Sequence, residues 1–313
     1  MTHKDISIII VSFNTCEILK NCINSLYTSN LNFLFEIIVV DNASTDSSVQ
    51  MIESHFTDVI LIKNSINLMF SKANNVGIKQ AKGEYVLLLN SDTIVTPNQL
   101  EKLLFFLKKN PHISAVGPRI LNFNGTIQSE SFPFDDFRNL ICNYLKLSKW
   151  PISNFFKLKL LPPGFIGFQN GYARKTSWIS GCCMLINKDK LQNCIGYLDE
   201  DLLFYGEDVE WCYRAKKRGE LVYILPQSEI IHLGGASTNG EVELIIKKNI
   251  SNNYIKYLKK TIGPFQMFNI NMFILICHLF ISPFLLICTK QYYIKWKKNI
   301  LLSINIIKGS IIL

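Results

Sequence analysis

The sequence predicts an α/β chain: a parallel sheet covered by helices on both faces, followed by a basic, apolar C-terminal appendage. Three observations predict it. Short aliphatic runs recur at 6–11 (ISIIIV), 36–40 (EIIVV), 59–62 (VILI) and 85–89 (YVLLL). Segments of helical length and pattern lie between them, at roughly 16–29, 46–55 and 70–82. Strands alternating with helices build parallel sheets buried on both faces, which is why the strands read as continuous apolar runs. Charge marks the appendage. Residues 247–313 hold ten Lys and no Arg, Asp or Glu, whereas 1–246 hold 23 basic against 24 acidic residues, a net −1.

Further along, a helix is expected near 97–109, with Pro97 at its start and Pro111 beyond its end. Residues 131–176, with several prolines and glycines, are expected to be long loops. The run 178–187 (WISGCCMLIN) reads as a buried strand. Residues 207–218 (EDVEWCYRAKKR) read as a helix stopped by Gly219, with a strand at 221–225. Leu244, Ile245, Ile250, Tyr254 and Leu258 recur at helical spacing over 241–260. From Thr261 to Thr289 there are 29 residues without a formal charge. The domains expected are therefore 1–240 and a helical, membrane-associating region at 241–313.

Composition excludes several classes. With 48% hydrophobic residues the chain is neither disordered nor collagen-like. A nucleic-acid binder would carry its positive charge on the folded part; here that charge sits in an apolar tail, which suits an anionic membrane surface, not nucleic acid. Nine cysteines, an odd number with no Cys-x-x-Cys pair, suggest small core residues in a reducing compartment. The opening MTHKDISIIIVSFN does not read as a signal peptide, since Asp5 precedes a short apolar run. No Gly-x-Gly-x-x-Gly or Walker loop points to a dinucleotide or P-loop site.

Four polar constellations lie where a parallel sheet presents its ligand, beyond the carboxyl ends of strands. Asp41-Asn42-Ala43-Ser44-Thr45-Asp46 offers an acid that can accept hydrogen bonds from a nucleobase or ribose; Ser44 and Asp46 read equally as turn and cap residues. Asn90-Ser91-Asp92-Thr93 presents a carboxylate that a hard cation could bridge to a diphosphate, or that caps the next helix. Glu207-Asp208-Val209-Glu210 opens a helix, whose dipole favours acids, and follows Tyr205-Gly206; a carboxylate there could act as a general base. His232-Leu233-Gly234-Gly235 is either a packed histidine or, with a carboxylate, half of a divalent-metal site.

Taken together, the order VSFN, VVDNASTD, GEYVLLLNSDT, GEDVEWCYRAKKRG and HLGGAS resembles the family-2 glycosyltransferases of the GT-A fold, most of all their rhamnosyltransferase-like members, over roughly residues 5–240. The resemblance implies a Rossmann-like mixed sheet flanked by helices. It implies that Phe13, Asn14 and Asp41 hold the donor nucleotide, that Asn67, Asn74, Asn75 and Asn90 line the donor pocket, and that Asp92 and His232 bind Mg2+ or Mn2+. Asp208 would be the catalytic base. The chain departs from the pattern in two places. Asn90 replaces the first acid of Asp-x-Asp, and Asn67-Leu68-Met69-Phe70-Ser71 stands where Asn-x-Gly-Phe-Ala is usual.

The activity implied is inverting, metal-dependent transfer of a sugar, a deoxyhexose such as rhamnose or a hexose, from a nucleotide diphosphate sugar to a saccharide or lipid-linked acceptor. The setting implied is polysaccharide or O-antigen assembly at the cytoplasmic membrane face. The Gln-x-x-Arg-Trp motif of processive members is absent, so one sugar per encounter is expected. Two rivals are a nucleotidyltransferase, which would carry a Gly-rich basic loop after the first strand, and a catalytically silent sugar-nucleotide-binding protein on the membrane.

Overall fold

The computed structural model describes residues 3–29, 31–129, 134, 171–202, 205–235, 256–263 and eight further positions between 265 and 276. The chain divides into two compact units, 1–132 with 167–248, and 133–166 with 249–313. Of the second unit, residues 256–261 are helical. Apart from Phe134, the loops expected within 131–170, most of the helix over 241–260 and the remainder of the apolar tail lie outside the described residues; at 171–176, also expected to be loop, Arg174–Lys175 form a short strand paired with a later one. No helix among the described residues is long and apolar enough to cross a membrane.

The first unit is built on a mixed sheet. Four strands come as expected: β1 (Ile6–Ser12), β2 (Phe35–Asp41), β3 (Ile60–Lys63) and β4 (Tyr85–Asn90). They pair in parallel in the order β3-β2-β1-β4. Ile6, Ile8, Ile9 and Ile10 are all fully buried. Such burial on alternating faces explains why β1 is apolar at nearly every position rather than at every second one. The connecting helices are α1 (Cys16–Thr28), α2 (Ser48–His55) and α3 (Met69–Gln80). Helix α3 lies so close to the sheet that a Cβ on Gly77 would sit 2.6 Å from Ile9 Cγ2.

Helix α4 (Gln99–Lys109) starts two residues later than expected, because Asn98 takes a left-handed conformation at φ +66°. Beyond it the parallel pattern ends. The remaining strands are β5 (Thr93–Ile94), β6 (Ile113–Leu121), β7 (Ile127–Ser129), β8 (Arg174–Lys175), β9 (Cys183–Asn187) and β10 (Leu221–His232). Strand β9 runs antiparallel to β4 and to β6, while β10 is parallel to β6. The sheet order is β3-β2-β1-β4-β9-β6-β10-β5. Helix α5 (Glu207–Lys217) carries Trp211, fully buried, whose indole N–H donates to Gly196 O at 2.8 Å.

Two expected strands change length for physical reasons. The run at 178–187 is strand only from Cys183, since Gly181 N–H is spent on a side chain rather than on a neighbouring strand. The strand expected at 221–225 continues to His232, passing Pro226 through a register shift between Leu225 and Glu229. Such a bulge is where a residue lacking an N–H is tolerated. The cysteines behave as expected of small core residues. Cys22, Cys182, Cys183 and Cys212 are buried, and every described cysteine is a free thiol.

Candidate active site

Strand register brings the polar constellations to one edge. Ser12 pairs with Asp41, and Val11 with Asn90, so the carboxyl ends of β1, β2 and β4 are level. Because β9 is antiparallel, its beginning reaches the same edge: Asn90 N–H donates to Cys182 O at 2.9 Å. One residue earlier, Gly181 N–H donates to Asp208 Oδ2 at 2.9 Å. The short segment Gly181–Cys182 thus ties the end of β4 to the first turn of α5. The Cys182 thiol between them is pushed up to about 12, first by burial and then by the charges of Asp208 and Asp92.

The far side is closed by β5 and β10. Thr93 pairs with His232, and Leu233 N–H donates to Asp92 O at 2.9 Å. His232 Nε2 consequently lies 3.2 Å from Asp92 Oδ1 and 3.3 Å from Asn90 Nδ2. Asp92 is only 1% exposed, yet neither of its oxygens has a hydrogen bond; the imidazole edge is close but not aligned to donate. Buried carboxylate oxygens are normally satisfied, so the pair calls for a bound partner. A carboxylate beside an imidazole is a fitting donor set for a hard divalent cation. Among the described residues no third acidic, histidine or cysteine side chain joins them, so other ligands must come from elsewhere.

Asp41 is also buried at the end of β2. Its Oδ2 accepts Ser44 N–H at 3.0 Å, and its Oδ1 has no partner. Asn14, at φ +54°, accepts Thr45 N–H at 2.7 Å, while Phe13 before it is half-buried. One acid that reads as a turn residue proves structural in an unexpected way. Asp46 accepts Ser48 N–H at 3.0 Å and Cys16 N–H at 3.0 Å, so one carboxylate serves the starts of both α2 and α1. Burial opposes its ionisation, but the hydrogen bonds from Ser48 and Cys16 outweigh that and hold it below the usual carboxylate range.

The asparagines differ in what they touch. Asn67 Oδ1 accepts Met69 N–H at 2.9 Å. Asn74 Nδ2 donates to Phe70 O within α3. Asn75 is taken up entirely by the 198–200 turn: its oxygen accepts Leu198 N–H, and its nitrogen donates to Leu198 O and Glu200 Oε1. It therefore acts on the site only through that turn. Asn42, which the motif contains but sequence reasoning assigned no role, holds the same region. Its side chain accepts from Asn64 and donates to Met69 O at 3.2 Å.

In the acidic cluster the three side chains divide. Glu210 pairs with Arg214, whose guanidinium also donates to Ile195 O and Tyr197 O, so this acid braces a turn. Asp208 accepts two backbone N–H groups, from Gly181 at 2.9 Å and Val209 at 2.8 Å. Glu207 is 6% exposed and its Oε2 has no hydrogen bond. Burial raises both carboxyls, and Asp208 raises Glu207 further. Since Asp208 is given more backbone donors than Glu207, Glu207 is the member that keeps the proton and Asp208 the one that ionises. Tyr205, at φ +65°, keeps its ring largely exposed, and its hydroxyl is raised by partial desolvation, then by the charges of Glu207 and Asp92.

A stability consequence follows from Glu207. A carboxyl raised on folding leaves the native state holding more protons than the unfolded chain. Its favourable contribution is complete below its ordinary value near pH 4.5 and is lost as pH rises towards the native value. Glu207→Gln, which stays neutral, is expected to flatten the fall in stability above pH 4.5, measured as urea midpoints across pH.

The model of glycosyl transferase family 2 matches residues 7–193. The chain belongs to this family. A low-salt glycan biosynthesis hexosyltransferase of Haloferax volcanii is 30% identical over 217 residues, covering 68% of this chain and 62% of the relative. An N-acetylglucosaminyl-diphospho-decaprenol L-rhamnosyltransferase of Mycobacterium tuberculosis is 24% identical over 235 residues, covering 70% of this chain and 73% of its own. The chain thus spans under two thirds of the archaeal relative's length. Among solved structures, GalNAc-T7 with UDP, GalNAc and Mn2+ aligns at a TM-score of 0.58 and 17% identity, covering 82% of this chain and 48% of that one. S. aureus TarS with UDP aligns at 0.52 and 17%, covering 97% and 81%. These likenesses carry the fold, a mixed sheet with flanking helices of the GT-A type.

Family membership gives meaning to the departure at Met69. The usual motif has Gly there, and Met69 indeed adopts φ +62°, a left-handed conformation that favours glycine. A side chain in that region costs about 1–2 kcal/mol. Met69→Gly is therefore expected to stabilise this glycosyltransferase-family domain by about 1 kcal/mol, seen as a higher urea midpoint at unchanged slope. A lower midpoint would mean that the Met69 side chain contributes more by packing than its backbone costs.

Proposed function

We propose that the chain transfers one sugar from a nucleoside diphosphate sugar to an acceptor hydroxyl, with inversion at the anomeric carbon. The observation that carries this reading is Asp92, a buried carboxylate with two unsatisfied oxygens beside His232 Nε2, at the edge where Asp41 and Asp208 also converge. Asp41 Oδ1, still lacking a donor, would accept from the base or ribose of the nucleotide, with Phe13 and Asn14 beside it and Asn90 nearer the phosphates. Asn67 and Asn74 would shape the donor pocket through the 67–74 backbone, and Asn75 through the 198–200 turn. Asp92 and His232 would hold Mg2+ or Mn2+ together with the diphosphate; when bound, the ion neutralises the charge that develops on the leaving group.

Asp208 would take the proton from the acceptor hydroxyl as its oxygen bonds to the anomeric carbon and the sugar–phosphate bond breaks, the electron pair leaving on the diphosphate. The peptides of Gly181 and Val209 hold its carboxylate in place before the acceptor arrives. Displacement from the face opposite the diphosphate gives inversion.

For the acceptor we propose a lipid-linked saccharide in cell-surface polysaccharide assembly. The rhamnosyltransferase relative is named for a diphospho-decaprenol substrate, and the ten-lysine apolar tail of this chain suits an anionic membrane. On that reading residues 1–240 are catalytic, 241–313 associate with the membrane, and the protein works peripherally at its cytoplasmic face. The test is a panel of nucleotide sugars scored for release of nucleoside diphosphate, with and without Mg2+ or Mn2+ and a polyprenyl-diphosphate saccharide. Release with one donor that is stimulated by both metal and acceptor supports the reading. Pyrophosphate release from a sugar phosphate and a nucleoside triphosphate would replace it with nucleotidyl transfer.

A further inference from the structure

The metal reading leaves open what makes His232 a ligand, and the answer lies on a hairpin that carries no recognisable motif. An imidazole offers a lone pair on one nitrogen only when the other carries the hydrogen, so the partner of the second nitrogen decides the first. Here that partner is Gln128 on β7. His232 Nδ1 lies 2.7 Å from Gln128 Oε1. The orientation of the Gln128 amide is itself determined, because its Nε2 donates to Asn122 Oδ1 at 3.0 Å and to His232 O at 3.4 Å. Both are pure acceptors, so the amide oxygen must face the imidazole, and Nδ1 must be the protonated nitrogen. Nε2 then carries the lone pair, beside Asp92 and facing Asn90 Nδ2 at 3.3 Å, the amide a bound cation would displace.

The chain of contacts continues into the turn. Asn122 Nδ2 donates to Thr126 Oγ1 at 3.0 Å, Asn122 N–H to Thr126 O at 2.8 Å, and Gly125 N–H back to Asn122 O at 2.9 Å. Gly125 takes φ +78°, and Asn124 Oδ1 accepts Thr126 N–H. The hairpin therefore holds Asn122 in the one direction that orients Gln128. On the other side, a Cβ on Gly234 would lie 2.9 Å from Gln128 Nε2, so the glycine after Leu233 leaves room for the amide.

We propose that Gln128 is a positioning residue for metal binding: anchored by Asn122, it fixes the Nδ1–H tautomer of His232 and so presents Nε2 to a divalent cation shared with Asp92. The proposal rests on the metal reading above, so the test separates the two.

The relay itself is tested without metal, by nitrogen–proton correlation NMR of the labelled protein, the His232 signals being assigned by their loss in His232→Gln. Wild type is expected to show Nδ1–H; Gln128→Leu is expected to move the population towards Nε2–H, the tautomer a free histidine side chain favours in water. Separately, Mn2+ binding is followed by electron paramagnetic resonance with a nucleoside diphosphate present. Gln128→Leu is expected to weaken it about 10–100-fold, whereas Gln128→Glu, which still accepts from Nδ1–H although its second oxygen faces the acceptors Asn122 Oδ1 and His232 O, is expected to weaken it less than Gln128→Leu does. An unchanged tautomer in a folded Gln128→Leu protein, or equal Mn2+ affinity in Gln128→Leu and wild type while His232→Gln loses it, overturns the proposal and leaves the metal reading intact. Equal Mn2+ affinity in His232→Gln and wild type overturns His232 as a ligand, and with it the metal part of this proposal.

Discussion

Asp208→Asn is expected to slow sugar transfer by about 10²–10⁴-fold, the usual cost of removing a general base, while donor binding stays close to wild type. The substitution keeps the shape of the side chain. An asparagine oxygen can still accept Gly181 N–H or Val209 N–H, so the tie between α5 and the start of β9 survives in part. What is lost is the capacity to take a proton. Because burial raises the Asp208 carboxyl, the wild-type rate should also fall on the acid side at a higher pH than an exposed aspartate would give. Turnover across pH, with calorimetry of nucleoside diphosphate binding, checks both. Glu207→Gln is the control: the neutral acid it replaces is not the base, and the variant should keep most of its turnover. Wild-type turnover in Asp208→Asn together with a loss in Glu207→Gln would mean that the two carboxyls exchange roles.

Asp92→Ala is expected to lower nucleoside diphosphate affinity in Mg2+ or Mn2+ by about 10–100-fold or more, since even residues that only orient a ligand have effects of that size. Among the described residues the carboxylate is the one anionic group beside His232 Nε2, and neighbouring Asn90 is neutral. In wild type, EDTA should produce a comparable loss. In Asp92→Ala, EDTA should add little, because the protein share of the site has already gone. Calorimetry with and without EDTA measures all four states, and equal EDTA sensitivity in the two proteins would sink the assignment of Asp92 as a metal ligand.

The half of the fold whose contacts are local and repetitive is legible in the amino-acid pattern alone. Strands β1 to β4 are legible because both faces of the sheet are covered, which leaves an unbroken apolar run such as ISIIIV. Helices α1 to α4 are legible because one face of each is apolar, as with Leu100, Leu103, Leu104 and Leu107 on α4. The motifs that mark the family are local too, since Asp41, Asp92, Asp208 and His232 each stand at the end of a strand or the start of a helix.

The rest depends on how the strands assemble. No local pattern announces β5 or β8, each two residues long, nor β6, whose ISAVGPRIL contains Gly and Pro. Whether β10 stops at Pro226 or passes it depends on a bulge against β6. The meeting of Asp92 with His232 depends on Thr93 pairing across the sheet with a strand some 140 residues later. The hold on Asp208 comes from Gly181, and the orientation of His232 from Gln128 in a turn that reads as ordinary polar surface. The physical reason is common to all of these. A residue type and its immediate neighbours fix which conformation is cheap and which face is apolar, whereas the partner of a hydrogen-bonding side chain is set by strand order and register, which are properties of the assembled sheet.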